Sequence, residues 1–198
     1  MKIRIVGDGV FGQFLNEIFS PHTEICDNAN IIFLAIPGDA YEEVAQQYAG
    51  MHLINVCSVQ QETNHSCLRY SEYVTGIHPL FGPRSPAENR VALLTQRCEK
   101  SAAVIELFEK VGAEVFASLP DGKAIDGELH DRMMAATHLA GLRQLAQLKE
   151  IVEKSAWVPE KFIPTSFLRL RNFVEQSGDF SPGTLKSIES NPFSEEEN

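Results

Sequence analysis

The sequence predicts an α/β protein: a doubly wound, mainly parallel sheet followed by a short all-helical C-terminal appendage. Three observations predict it. Short apolar runs alternate with helical patterns up to residue 118, as a layered α/β sheet requires. Two of these runs, IIFLAI at 31–36 and LINVC at 53–57, are continuously apolar, the mark of strands buried on both faces. Beyond residue 119 the patterns are helical only.

The elements follow in order. Residues 2–6 (KIRIV) read as a strand and 10–19 as a short helix. A brief second strand covers 23–26. The run at 31–36 is a strand ended by Pro37, and 41–48 is helical. Residues 53–57 form another buried strand and 73–77 a further one. Strands at 90–95 and 114–117 flank a helix over 99–111. Leu119-Pro-Asp-Gly122 is a turn. One long helical pattern then runs over 126–154, with Leu129, Met133, Ala136, Ala140, Leu145, Leu148 and Val152 as its apolar positions. Pro159 and Pro164 break it, and a second helix covers 165–176. The end, 189–198, is polar and acidic and is expected to fray. The predicted domains are therefore 1–118 and 119–198. The second is too small to bury much by itself, so its apolar stripes serve core packing or a second subunit.

The totals exclude several classes. The 198 residues carry a net charge of −10 with no basic cluster, so nucleic acid and anionic membrane are poor partners. No apolar run is long enough to span a bilayer. MKIRIVGDG enters a strand directly, without the apolar core of a signal peptide. Cys26, Cys57, Cys67 and Cys98 show no C-x-x-C spacing and are read as reduced thiols of a cytoplasmic protein with no metal site.

Gly7-Asp8-Gly9-Val10-Phe11-Gly12 is a G-x-G-x-x-G element between a predicted strand and a predicted helix. That context fits a Rossmann-like, NAD(P)-binding domain over 1–118. Gly7 permits the tight turn, Gly9 lets a pyrophosphate approach, and Gly12 lets helix and strand pack closely. The helix N-terminus turns its partial positive charge to the phosphates. Ala35, Ile36 and Pro37, at the end of the third strand, border the same crevice. Asp27 lies twenty residues past Gly7, where a carboxylate accepts hydrogen bonds from the ribose hydroxyls of NAD and disfavours NADP. Only Asn28–Asn30 then precede the next strand, so the adenine side is shortened.

Ser58 and His78 follow successive strands and fall on one edge of the sheet. Pro79 restricts His78 to extended backbone, and the Gly and Pro residues of GIHPLFGP (76–83) stiffen the loop. On the residues alone, His78 is either structural or a general base held against a substrate.

Taken together, GDGVFG, IIFLAIP, NVCSVQ, GIHPLFGP and ELHDRMMAATHL resemble the prephenate/arogenate dehydrogenase family of tyrosine biosynthesis, over roughly residues 1–145. The resemblance implies NAD-dependent oxidation of a cyclohexadienol with loss of its ring carboxylate as CO2. It implies that His78 takes the ring hydroxyl proton and that Ser58 holds that hydroxyl and the histidine in register. His130 and Asp131 would serve the start of the long helix and the contact between domains. His138 is either a crevice residue or a satisfied core histidine. The chain departs from the family in three places. Gly141 and Leu142 stand where a second histidine is usual, Gln60 replaces a lysine, and the helical part is short. An arginine usually clamps the substrate carboxylate. Arg169 and Arg171 are the nearest counterparts here, with Arg84 and Arg143 further off. The expected partners are a small-molecule substrate and a second copy of the chain, paired through the helical region. Two other readings stay open: a nucleotide-binding or regulatory module without turnover, and a small NAD(P)-dependent oxidoreductase with another substrate.

Overall fold

A computed structural model of the chain describes residues 1–177 and 188–194. Seven strands form one sheet in the order β2-β1-β3-β4-β5-β6-β7. They are β1 (Lys2–Val6), β2 (Glu24–Ile25), β3 (Ile31–Leu34), β4 (His52–Asn55), β5 (Val74–Pro79), β6 (Arg90–Gln96) and β7 (Ala113–Phe116). The helices are α1 (Val10–Phe19), α2 (Tyr41–Gln47), α3 (Gln61–Leu68), α4 (Ser101–Lys110), α5 (Gly127–Met134), α6 (Ala140–Lys154) and α7 (Thr165–Ser177). This is the Rossmann-like architecture that the sequence predicts. The chain leaves β1 towards β2 on one side and returns to β3 on the other. That reversal opens a crevice outside the carboxyl ends of β1 and β3.

Two elements depart from the expectation. The sheet is parallel from β2 through β5, but β6 pairs with β5 antiparallel. A parallel return needs a crossover of about a dozen residues or more. Residues 80–89 hold only a single 3-10 turn, Ala87–Asn89, so the chain doubles back. Helix α3 (QETNHSCL) is absent from the sequence reading. Its buried residues are Thr63, Asn64 and Cys67, a mostly polar inner face with no apolar period to detect.

That polar face is fully engaged. Asn55 at the end of β4 donates to Thr63 and Asn64 at 2.8 Å each. Asn64 donates to Thr95 of β6, and Thr95 donates to Gln60. Gly76 of β5 lies under this cluster, where an added Cβ would overlap Asn64 Oδ1 and crowd Thr95 Oγ1. The cluster pins the N-terminus of α3 to β4 and β6, over the space that Gly76 leaves in β5.

Apolar layers cover both faces. One holds Phe14, Phe19, Phe33, Phe81 and Phe108 with Ile54 and Ile77. The other centres on Tyr41, whose hydroxyl donates to Leu34 O at 2.6 Å. His78 lies inside β5, paired with Leu93 of β6. Its stiffness therefore comes from a central strand, with Pro79 as the last strand residue, and not from a loop.

The long helical pattern is interrupted. Between α5 and α6, residues Ala135–Leu139 form a π-helical turn. Helix α6 has no buried residue in its 15. Trp157, Phe162 and Phe173 are 82%, 67% and 57% exposed, so this region carries apolar surface not covered within the described residues. The sequence predicts a frayed tail from 189. Residues 189–194 instead pack against the molecule, with Asn191 only 3% exposed; residues 195–198 lie outside the described residues. Among the described residues, no helix is long and apolar enough to cross a membrane.

Candidate active site

The glycine loop behaves as its spacing implies. Gly7 has φ +116°, and a Cβ there would overlap Ala35 O; at Gly12 it would overlap Gly7 O. Both positions are closed to side chains, Gly7 by the backbone at the end of β3 and Gly12 by the loop itself. Gly9 differs: nothing lies within 4 Å of where its Cβ would stand. It is the N-cap of α1, with no side-chain capping bond, so the first turn of α1 faces open space. Such a cradle suits a phosphate. Asp8 and Val10 are exposed, Phe11 half-buried, and Gln13 fastens the loop by donating to Asp8 O at 2.7 Å. Ala35 and Ile36 are half-buried and Pro37 is exposed at the end of β3, with Ala35 N bonded to Val6 O.

The second strand is short. β2 pairs only through Glu24 and Ile25, opposite Lys2 and Ile3. Asp27 consequently sits beside Arg4, its carboxylate 3.6 Å from Arg4 Nη2 and 94% exposed. An acid and a guanidinium thus share the place where the ribose is expected.

The parallel arrangement of β1, β3, β4 and β5 puts Gly7–Gly12, Ala35–Pro37, Ser58 and His78 on one edge. Ser58 is half-buried in the loop after β4. The hydrogen bond that His78 makes runs elsewhere: its Nδ1 lies 2.8 Å from His130 Nε2, with the rings at 78°. His130 Nδ1 lies 2.7 Å from Asp131 Oδ1. The Asp131 carboxylate also accepts from the backbone N–H groups of Gln60 at 2.8 Å and Gln61 at 2.9 Å. Asp131 therefore caps α3, not its own helix, whose N-cap is Asp126, accepting from Leu129 N.

The tautomers follow from this network. A carboxylate only accepts, so His130 Nδ1 carries hydrogen. His130 Nε2 is then a lone pair and receives the Nδ1–H of His78. His78 Nε2 is left as a basic lone pair. His130 and Asp131 are both 0% exposed, so the chain of bonds is shielded from water.

Neighbouring residues explain the approach. At Gly127 a Cβ would stand 2.8 Å from Gln61 Cα, so glycine allows α5 to close on α3. Gln60, where the resemblance leads one to expect a lysine, is buried and donates to Cys57 O at 2.6 Å. Sequence reasoning missed Gln60, Gln61, Asn64 and Thr95 as supports. The legible signal was the adjacent His130-Asp131 pair just after Asp126-Gly127.

His138 lies on the π-turn and is close enough for its charge to help lower the basicity of His78. It borders a cleft of about 350 Å3 between α6 and α7, with Gly141, Leu142, Leu145, Leu148 and Phe173. Arg169 and Arg171 share α7, and Arg84 lies elsewhere in the chain. Arg169 is exposed on α7 and Arg84 is exposed in the loop after β5. Arg171 contacts Glu160 at 3.3 Å and Glu175 at 3.8 Å.

Fold and crevice define the class, a Rossmann-like α/β protein with a helical extension. No protein-family model matches the sequence, and no curated protein matches it significantly. Solved structures do resemble it. A prephenate dehydrogenase from A. aeolicus, in complex with hydroxyphenyl propionate and NAD+, aligns with TM-score 0.64 and 16% identity, over 96% of this chain and 82% of its own. An arogenate dehydrogenase from Synechocystis aligns with TM-score 0.63 and 16% identity, over 96% and 84%. A reductive aminase from Aspergillus terreus, in complex with NADPH and ethyl levulinate, aligns with TM-score 0.59 and 13% identity, over 89% and 72%. At these identities the likeness is one of fold.

Burial, reinforced by His130 and His138, holds His78 well below the usual imidazole range. Burial and the Lys100 charge hold His52 down to about 4. Both favour the neutral ring in the folded state, so the unfolded chain takes up protons first as pH falls. Their stabilising effect is complete above about pH 6.5 and is lost on acidification below it. Histidine-resolved NMR should show the His78 ring still neutral at pH 6, and the melting temperature should fall from there towards pH 4. An ordinary His78 titration near pH 6.5 would refute the assignment.

Proposed function

We propose that this protein is an NAD-dependent dehydrogenase of the prephenate/arogenate type, oxidising a cyclohexadienol with loss of its ring carboxylate. The observation that carries the reading is the His78–His130–Asp131 chain on the crevice edge. The open cradle at Gly9 and the uncapped first turn of α1 fit a dinucleotide. When bound, the dinucleotide supplies the hydride acceptor.

The protein's own part is proton handling and orientation. His78 Nε2 receives the proton of the ring hydroxyl as the carbinol carbon is oxidised. The new positive charge on His78 is shared through its Nδ1–H with His130 and balanced by Asp131. The ring carboxylate leaves as CO2, its bonding pair enters the ring, and the carbonyl pair moves to oxygen, which takes the proton back from His78 as the phenol forms. Ser58, on the same edge, orients the hydroxyl. His138 and the cleft beside it take the rest of the substrate, with Arg169 of α7 the candidate to meet a carboxylate, since Arg171 is engaged by Glu160 and Glu175.

One observation favours a second reading, a nucleotide-binding module without turnover. Gly141, where the resemblance leads one to expect a histidine, has nothing within 4 Å of its Cβ position, and the cleft around it is mostly apolar.

The deciding assay is NADH formation with prephenate and, in parallel, arogenate. Turnover is expected, and His78→Asn should lower it by about 100-fold or more while leaving NAD affinity unchanged. Absence of turnover with intact NAD binding selects the module reading.

The cofactor site has its own test. Gly9→Ala should fold normally, since its Cβ meets no atom, yet bind NAD more weakly. Asp27→Ala should shift preference from NAD towards NADP, with Arg4 left to meet the extra phosphate. Calorimetric titration measures both, and an unmoved NAD/NADP ratio removes Asp27 from the ribose site.

The exposed Trp157, Phe162 and Phe173, with a helix α6 that buries no residue, support a homodimer through the helical region. Sedimentation should give twice the chain mass, and Phe173→Asp should shift the equilibrium to monomer.

A further inference from the structure

The C-terminal segment around Asn191 belongs to a stretch rich in acid and polar residues. Such a tail ordinarily stays solvated. Here Asn191 is 3% exposed and every polar group of it is used. Its Nδ2 donates to Asp131 O at 2.8 Å. Its Oδ1 accepts from Phe193 N at 2.9 Å. Its backbone N–H donates to Ile188 O, and its carbonyl accepts from Ser194 N. Two further ties hold the segment down. The Arg132 guanidinium lies 4.1 Å over the Phe193 ring, and Arg143 Nη1 donates to Ser194 O at 2.8 Å.

The attachment point is specific. Ala135 N, at the entry to the π-turn, is shared between the carbonyls of Arg132 and Asp131. The Asp131 carbonyl thus has only part of a helical donor, and Asn191 supplies a full one. The same residue's carboxylate is fixed from the opposite side by Gln60 N, Gln61 N and His130.

We propose that Asn191 is a positioning residue: the C-terminal segment clamps the backbone of Asp131 and so holds the His130–His78 chain in register with the sheet. This rests on the dehydrogenase reading for its catalytic consequence, but not for its structural test.

The experiment compares the full-length chain with Asn191→Ala and Asn191→Asp. The aspartate keeps an acceptor for Phe193 N and loses the donor to Asp131. Proton NMR of the wild type should show downfield resonances for the His130 Nδ1–H and His78 Nδ1–H bonds. Both variants should lose or broaden them while melting cooperatively and binding NAD as the wild type does. In turnover, kcat should fall by about tenfold or more with the KM for NAD unchanged. The acidic limb of the kcat profile should move to higher pH, because water reaching His78 relieves the burial that lowers its basicity, with His130 and His138 still beside it. Folded variants with unmoved histidine resonances and an unmoved pH profile would overturn the proposal. If Asn191→Ala melts before it can be measured, the aspartate variant decides by the same two readouts. Failure of the wild type to turn over would refute the proposed activity, and the histidine resonances would still judge Asn191.

Discussion

A buried carboxylate, Asp131, joins the helical extension to the sheet, and the geometry of the site depends on it. Left without partners, an ion at 0% exposure would cost several kcal/mol. It has three donors: two backbone N–H groups at the start of α3 and the ring of His130. The two N–H groups are among those a helix leaves unsatisfied at its N-terminus. One residue therefore satisfies α3, orients His130 and aligns α5, all with the same two oxygens. Charge-assisted bonds of this kind are stronger than neutral ones, which suits a junction that holds two buried imidazoles in one hydrogen-bonded chain.

The junction in turn depends on polar packing beneath it. The start of α3 is where it is because Asn55, Gln60, Thr63, Asn64 and Thr95 satisfy one another across β4, α3 and β6. Gly76 leaves room for them. Such networks specify one arrangement when complete and are costly when broken. A buried histidine is better fixed by a rigid polar floor than by a loop. His78 accordingly sits inside a strand, paired to Leu93.

Much of this was legible beforehand, and the reasons for the gaps are physical. Continuous apolar runs reveal β3 and β4 because both faces are buried. The glycine loop reveals itself because two of its positions admit no side chain. Helix α3 does not, because its inner face is polar. The antiparallel β6 does not, because pairing direction leaves no trace in a strand's own pattern. His130 and Asp131 are visible as a pair and do tie the helical part to the sheet domain, as expected, but they do not start the long helix: Asp126 caps α5, and the Asp131 carboxylate serves α3. Asn191 was hidden by its surroundings, since an acidic tail gives no hint that one of its amides is buried.

The π-turn at Ala135–Leu139 completes the account, since it lies between the fixed and the open parts of the site. A turn closed by i→i+5 bonds holds one residue more than an α-turn, so everything after it is rotated by about 100° relative to an uninterrupted helix. Such turns are less favourable than α-turns and persist where the surroundings impose them. Here α5 is fixed by Asp131 on one side and Asn191 on the other, while α6 must lay Leu142, Leu145 and Leu148 towards α7. The extra residue changes the face that α6 presents relative to α5, so each helix keeps its own contacts. The consequence falls on His138, which lies within the turn and lines the cleft beside α7. The same irregularity that joins two helices of different orientation thus sets a further imidazole, His138, at the mouth of the cleft that would receive a substrate.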